Sequence, residues 1–258
     1  MNVAIIQLTA RQMLGQKRSL LLFATALIPV LIAVVYRFSD ATNNTIYLHE
    51  TGVLISAQPR WVSRVLLSQL IVGTLLPLAA LIFGTAAIGS EIEDGTAVYL
   101  LSKPIPRWRI VASKMLVAWA TTSALVLSAT VISVLIALEH PLDYGILIGF
   151  LLAGTAGALV YTALFVLLSI VTSRALIVGL LYVFIWEAVL TRLFNGLRYA
   201  SVREYALGVA DRVITAPAAV FSADLEGNVA VILVFATSAL LSFYAARRLA
   251  VWEIGEST

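Results

Sequence analysis

Long, almost uncharged apolar runs dominate the order of hydrophobic and polar residues along this chain. Six runs lie between widely spaced charged residues, at 19–36, 65–90, 115–138, 144–173, 175–191 and 227–246. An α-helix crosses a bilayer with about 20 apolar residues, and these runs are too long for the strands of a membrane barrel. The pattern therefore predicts an all-α polytopic membrane protein with six transmembrane helices, at 19–38, 65–89, 112–138, 145–172, 175–192 and 228–246.

Two segments beside these spans have the pattern of surface helices. Residues 1–18 are mildly amphipathic and basic at their end, which favours an N-terminal helix along the membrane interface. In the outer loop 193–227, Ser201 and Glu204 have the spacing of a capping box, and one apolar stripe follows opposite a polar face that includes Glu204. We expect a short re-entrant or interfacial helix there, with an ordinary polar loop as the alternative; the stripe comprises Val202, Tyr205, Ala206, Val209 and Val213.

The segment 90–106, between the second and third spans, predicts a short helix and a rigid elbow. Gly89 is placed to end the second span with a positive φ, after which Ser90 is the expected N-cap and Glu93 its capping-box partner. Acidic residues in the first turn suit the helix dipole, and the two prolines that follow cannot donate backbone hydrogen bonds. The simpler alternative is a capped loop between two helices. By contrast, residues 38–61 read as a polar, irregular connection.

Composition supports a membrane protein and excludes several classes of function. Of the 258 residues, 61% are hydrophobic and 12% are charged, with a mean hydropathy of +0.99. Soluble domains carry about 45–50% apolar and about 25% charged residues, so soluble enzymes, nucleic-acid-binding modules and disordered chains do not fit. The chain has no cysteine, which excludes disulfides, thiolate nucleophiles and cysteine metal ligands.

The distribution of Lys and Arg predicts the orientation. With the N-terminus in the cytoplasm, ten of the 17 basic residues fall on the cytoplasmic side and seven on the other. Basic residues favour cytoplasmic loops. We therefore expect a multi-pass protein of the cytoplasmic (inner) membrane with both termini inside.

The run 91–114, EIEDGTAVYLLSKPIPRWRIVASK, resembles the signature cytoplasmic loop of ABC-2-type transporter permeases. It has the acidic pair, the Gly-Thr, the Leu-Leu-Ser, the proline elbow, the Arg and the Lys that opens the third helix. Six spans, a surface N-terminal helix and a long outer loop before the last span also match the family's layout. Near the end of the fifth span, Trp186 and Glu187 are similar to the NosY-like branch of that family.

This resemblance implies the permease subunit of an ATP-binding cassette exporter that works as a homodimer with two ATPase subunits. In the family, the loop is the coupling helix that lies in a groove of the ATPase, which binds the ATP and Mg. The resemblance assigns this coupling role to Glu91, Glu93, Asp94, Gly95, Thr96, Leu100, Leu101, Lys103, Pro104, Pro106 and Arg107.

The chain itself is not expected to bind ATP or to be an enzyme. A phosphate-binding loop needs a Gly-Lys-Ser/Thr sequence, whose backbone amides and lysine hold the phosphates. Lys17, Lys103 and Lys114 follow Gln, Ser and Ser respectively. A separate ATPase subunit therefore has to supply the energy, and we predict no catalytic, cofactor-binding or metal-binding residue in this chain.

Glu187 is the one carboxylate within a predicted span, and three roles are open for it. Ionisable residues at membrane depth are costly and are often functional. Glu187 either has a structural role, in which it reaches the outer interface or pairs with Arg192 or Arg198, or gates a cavity, or carries protons in a secondary transporter, which is the alternative function. An intramembrane hydrolase is a weaker alternative, because His49 and His140 both fall in outer loops.

Overall fold

The computed structural model describes residues 17–39, 44–48, 53–93, 106–193 and 195–251. These residues are mostly helical, as predicted. The expected interfacial helix at 1–18 lies outside the described residues except for its last two positions, and residues 94–105 lie outside them too. The helices are α1 (Lys17–Arg37), α2 (58–93), α3 (Arg107–Ala137), α4 (Ile146–Val171), α5 (175–193), α6 (Val202–Asp211) and α7 (Gly227–Val251).

Among the residues that the structure describes, four helical segments are long and apolar enough to cross a membrane: Gln58–Gly89, Arg107–Ala137, Asp143–Val171 and Gly227–Leu249. The apolar parts of α1 and α5 are shorter, at Leu22–Arg37 and Ala175–Leu190. A long helix is therefore present at each of the six positions that the apolar runs indicate, but α1 and α5 fall below the length of the other four.

Helix α4 forms the centre of the bundle and contacts α2, α3, α6 and α7. Small residues permit this close packing, as is usual between helices in a membrane. A Cβ added at Gly157 would lie 2.6 Å from Leu76 of α2 and 3.2 Å from Ala206 of α6. A Cβ at Gly149, two turns earlier on α4, would lie 3.0 Å from the carbonyl of Ala210. Helix α6 therefore runs antiparallel along α4.

Two helices contain long stretches of π-helix. In α2 the π-helical stretch is Val62–Leu75, and in α5 it is Tyr182–Leu190. Most π-helical segments are single turns, and they are frequent at functional sites. Both stretches lie beside the start of α6, because Gly73 of α2 faces Arg203 and Glu187 of α5 contacts Val202.

The structure corrects two local predictions. Within 38–61, expected to be irregular, Thr45–Leu48 and Val53–Ser56 form an antiparallel hairpin in which Thr45 pairs with Ser56. β-Branched and aromatic residues in both segments favour strands. Gly89 does not end the second span, since α2 continues through Glu93 and the positive φ found among the described glycines is at Gly145. Ser90 therefore lies inside α2 and is not an N-cap.

Candidate functional site

The Glu187 carboxylate lies at the middle depth of the helix bundle. Helix α4 rises about 39 Å at 1.5 Å per residue, and Tyr161 lies about 22 Å from its start. The Glu187 side chain is beside Tyr161 and is 3% exposed. Glu187 thus lies well inside the bundle, beside the middle of α4.

Three hydrogen-bond donors surround this carboxylate. It accepts hydrogen bonds from the Tyr182 hydroxyl at 3.0 Å, the Ser201 hydroxyl at 2.6 Å and the Val202 backbone N–H at 2.8 Å. Ser201 is the N-cap of α6, and its hydroxyl oxygen accepts from the Glu204 backbone N–H at 3.2 Å, as the capping-box spacing predicted. Sequence reasoning proposed pairing with Arg192 or Arg198; Arg198 forms an ion pair with Asp224 at 3.2 Å.

Glu187 therefore caps the N-terminus of α6 through tertiary structure. The first N–H groups of a helix have no partner within the helix, and its N-terminus carries a partial positive charge. A carboxylate placed there accepts hydrogen bonds from these N–H groups and compensates the partial positive charge. This stabilisation is strongest where water is excluded. The cap joins α5 to α6 although 14 residues separate Glu187 from Ser201.

Helices α5 and α6 together have the geometry of one interrupted crossing. From Ala175 to Leu190 the apolar part of α5 rises about 24 Å, less than the hydrocarbon thickness of about 30 Å. Helix α6 then continues along the N-terminal half of α4, and Arg212 near its end hydrogen-bonds Asn228 at the start of α7. Discontinuous helices of this kind place backbone termini at membrane depth and line binding sites in transporters.

A polar cavity of about 210 Å³ opens between α2, α6 and the segment that precedes α7. Arg203 and Glu204 line it and form an ion pair at 2.7 Å, with side chains 15% and 9% exposed. The helical stripe assigned Glu204 to a polar outer face, but this carboxylate is buried. The remaining polar lining comprises Arg64, Ser68, Gln69, Ser222 and Asp224.

The other predicted site, between α2 and α3, is anchored at both of its ends. The buried Lys114 ammonium donates to the Ala87 carbonyl at 2.7 Å, which ties α3 to the last turns of α2. Arg107 donates to the Leu249 carbonyl at 2.6 Å and so ties α3 to α7. Pro106, in an extended conformation, precedes the first turn of α3. Sequence reasoning quoted Lys114 only as part of a motif and did not identify it as an anchor.

The structure places four of the residues to which the resemblance assigned a coupling role. Glu91 and Glu93 belong to the last turn of α2, Pro106 caps α3, and Arg107 is in its first turn. The others lie outside the described residues: Asp94, Gly95, Thr96, Leu100, Leu101, Lys103 and Pro104.

A protein-family model described as ABC-2 family transporter protein matches residues 3–214. The match covers most of the chain, including the loop 94–105, the Glu187 cluster and the whole of α6. A comparison with curated proteins found no match.

Proposed function

The chain belongs to the ABC-2 transporter family, and from this premise we propose that it is the membrane-spanning permease subunit of an exporter powered by separate ATPase subunits. The family assigns such chains to the multi-pass membrane part of an ABC transporter, with an ABC ATPase as the general partner. In the proposed complex, ATP and Mg are bound by that partner. The observation that carries the proposal is the family match over 3–214, which includes a loop anchored at both ends.

The anchors explain how work on the loop 94–105 would reach the membrane. Lys114 joins α3 to α2, and Arg107 joins α3 to α7, so the two ends of the loop are held against three long helices. A push by the ATPase on the loop would therefore move these helices together, because the hydrogen bonds at its ends resist local bending. Helix α2 also carries the π-helical stretch beside Arg203, which places the polar cavity within reach of this movement.

The proposed topology has six crossings, with the loop 94–105 and both termini in the cytoplasm and the protein in the inner membrane. The distribution of Lys and Arg supports this orientation. The ATPase has to meet the loop on the side where ATP is present. In this topology α6 and the polar cavity lie in the outer half, where an exporter releases its cargo. The NosY-like features of Trp186 and Glu187 stay a prediction.

The three donors around Glu187 favour a structural role over proton transport. Its oxygens accept three hydrogen bonds and hold the N-terminus of α6 against α5. The proton-coupled secondary transporter is the alternative function, and the pH dependence of transport in Glu187 variants separates it from the exporter.

The proposed exporter is a homodimer that associates through α1 and α5. These are the two helices with the shorter apolar stretches, and association is one way to relieve a mismatch with bilayer thickness. Both helices also present broad exposed apolar faces. These comprise Phe23, Leu27, Ile28, Leu31 and Val35 on α1, and Ile177, Leu181, Phe184, Ile185 and Val189 on α5.

Single cysteines at Leu31 or Ile185 are expected to crosslink two copies of the chain in membranes. The natural sequence has no cysteine, so each variant reports one position. A cysteine at Ile132, which is exposed on α3, is the matched control and is expected to stay monomeric. Gel electrophoresis after mild oxidation measures the dimer fraction. The proposed interface is wrong if only the cysteine at Ile132 crosslinks, or if no variant forms dimers in membranes that contain the active ATPase.

Reversing two charges in the loop tests the proposed function itself. Glu93→Lys with Asp94→Lys is expected to weaken binding of the ATPase by about 2–5 kcal/mol if the ion pairs are buried, which is about thirtyfold or more. Leu100→Ala with Leu101→Ala is expected to lower transport, because apolar side chains anchor such interfaces. Co-purification of the ATPase and transport-stimulated ATP hydrolysis are the measurements.

The matched control reverses Glu139 and Asp143, which lie at the opposite end of the bundle, beyond the end of α3. Arg37 pairs with Glu139 on the surface, where an ion pair contributes little. These control variants are expected to bind the ATPase as the wild type does. The decisive variant combines the two Lys reversals with the two Ala replacements in the loop. If it binds the ATPase and supports transport-stimulated ATP hydrolysis as the wild type does, the coupling role is refuted and the exporter loses its main support.

A further inference from the structure

An apolar groove runs along the outside of the bundle between α3 and α7. Its volume is about 460 Å³, and its floor is Leu159 of α4. The α3 wall runs from Trp108 to Trp119, and the α7 wall runs from Ser242 to Ala246. The Trp119 indole N–H donates to the Thr155 carbonyl at 3.0 Å and fixes the ring at the inner end of the groove. The lining is almost entirely hydrocarbon and faces the lipid.

The length of the groove matches one leaflet of a bilayer. Trp108 and Trp119 are separated by 11 positions on α3, a rise of about 16 Å. Half the hydrocarbon thickness of a bilayer is about 15 Å. One acyl chain of a lipid with its headgroup at Trp108 therefore extends to Trp119, at the middle of the membrane.

A guanidinium group lies beside each wall of the groove. The Arg109 guanidinium lies 5.3 Å from the centre of the Trp108 ring, and the Arg247 guanidinium lies 5.9 Å from that of Phe243. Trp108 and Phe243 line opposite walls, so each wall has one cation next to it. Both Arg side chains are exposed, and no carboxylate is among the described residues that line the groove.

We propose that this groove binds one anionic phospholipid from the leaflet on the side of the loop 94–105. Its phosphate lies between Arg109 and Arg247, and one acyl chain lies against Val111, Met115 and Leu116. Arg is suited to this role because its planar guanidinium binds phosphate in a bidentate manner. Basic pockets between membrane helices recognise anionic headgroups in this way.

The bound lipid would join α3, which begins just after the anchored loop, to α7. Arg107 links α3 to α7 directly below the groove, through the Leu249 carbonyl. Within the groove, the Ser242 hydroxyl contacts the Met115 sulfur at 3.2 Å. A lipid in the groove would add contacts to both helices alongside these two. This inference concerns binding and does not depend on the direction of transport or on the ATPase.

Native mass spectrometry of the full chain, released from nanodiscs with equal amounts of phosphatidylglycerol and phosphatidylcholine, tests the site. The wild type is expected to retain phosphatidylglycerol over phosphatidylcholine by tenfold or more. Arg109→Gln with Arg247→Gln is expected to reduce this preference to less than twofold. Arg248→Gln with Arg60→Gln removes the same charge from two exposed positions outside the proposed phosphate site, and is expected to keep the preference.

A second pair of variants tests the position of the acyl chain. Ala112→Phe and Ala246→Phe each fill the groove from one wall and are expected to reduce retention of both lipids at least fivefold. Two walls are used so that misfolding of one variant leaves the other informative. Equal retention of both lipids by the wild type, an unchanged preference in the double Arg variant, or unchanged retention in a folded filled variant would each overturn the proposal. Occupation of the groove by a second copy of the chain, without lipid, would overturn it as well.

Discussion

Replacing Glu187 by Leu is expected to abolish the folded protein, whereas replacing it by Gln is expected to preserve it. The Leu variant leaves three donors without an acceptor: the Tyr182 hydroxyl, the Ser201 hydroxyl and the Val202 N–H. Each unsatisfied buried group costs about 1–3 kcal/mol. The sum approaches the whole stability of a typical protein, about 5–15 kcal/mol.

Gln keeps the interactions because its amide has both an acceptor and a donor. Its oxygen accepts from Tyr182 and Val202, which share one oxygen of Glu187, and its NH₂ group donates to the Ser201 hydroxyl oxygen. Yield of monodisperse protein and thermal unfolding in detergent compare the two variants. A Leu variant as stable as the wild type would contradict the role of Glu187 as the cap of α6.

Transport by the Gln variant then decides between the proposed roles. Full transport with an unchanged pH profile is expected if Glu187 is structural. A folded Gln variant that transports poorly indicates gating. A shifted pH profile supports the proton-coupled secondary transporter instead of the exporter.

Removal of Arg203 alone is expected to destabilise the protein by about 3–5 kcal/mol, because Glu204 then has an uncompensated buried charge. The pair is 2.7 Å apart, and both side chains are largely buried beside the polar cavity. Arg203→Met with Glu204→Met is expected to recover most of this loss, since apolar replacement of a whole buried pair is often neutral. The Ser201 cap remains because it uses the Glu204 backbone.

A double-mutant cycle on thermal or denaturant unfolding measures the coupling energy between Arg203 and Glu204. The matched control is the pair of Arg37 and Glu139, whose side chains are 39% and 57% exposed at a distance of 3.2 Å. Exposed pairs contribute about 0–1 kcal/mol, so Arg37→Met is expected to have little effect. Equal effects of Arg203→Met and Arg37→Met would show that the cavity is solvated enough to screen the inner pair.

Predictions that depend on local sequence were the most successful. Long apolar runs have to become helices in lipid because only intrahelical hydrogen bonds satisfy their backbone there, and helices stand at all six positions. Ser201 was identified as a cap because it meets the Glu204 N–H within a single turn. Helix α3 begins at Arg107, earlier than the predicted span at 112–138, and Pro106 precedes it because proline lacks the N–H that a helix interior requires.

Predictions from local sequence failed where the same residues also suit another conformation or where distant parts of the chain decide the outcome. Gly89 is tolerated inside a helix as well as at its end, and Ser-Glu-Ile-Glu extends α2 through Glu93. The hairpin at 45–56 was missed because short strands have a weak pattern and its pairing depends on the two segments meeting. The polar stripe placed Glu204 outside because helical periodicity indicates opposite faces without showing what covers each one.

The sequence by itself determined that this chain lies in a membrane, where its helices fall, and which loop resembles a coupling helix. Each of these depends on neighbours in the chain or on its total apolar content. Only the tertiary structure decided that Glu187 caps α6, that Lys114 and Arg107 anchor the loop, and that Arg203 and Glu204 line a cavity. The reason is physical: the energy of a buried polar group depends on its hydrogen-bond partners, and for Glu187, Lys114 and Arg107 the partners outside their own helix are 14 or more residues away in sequence.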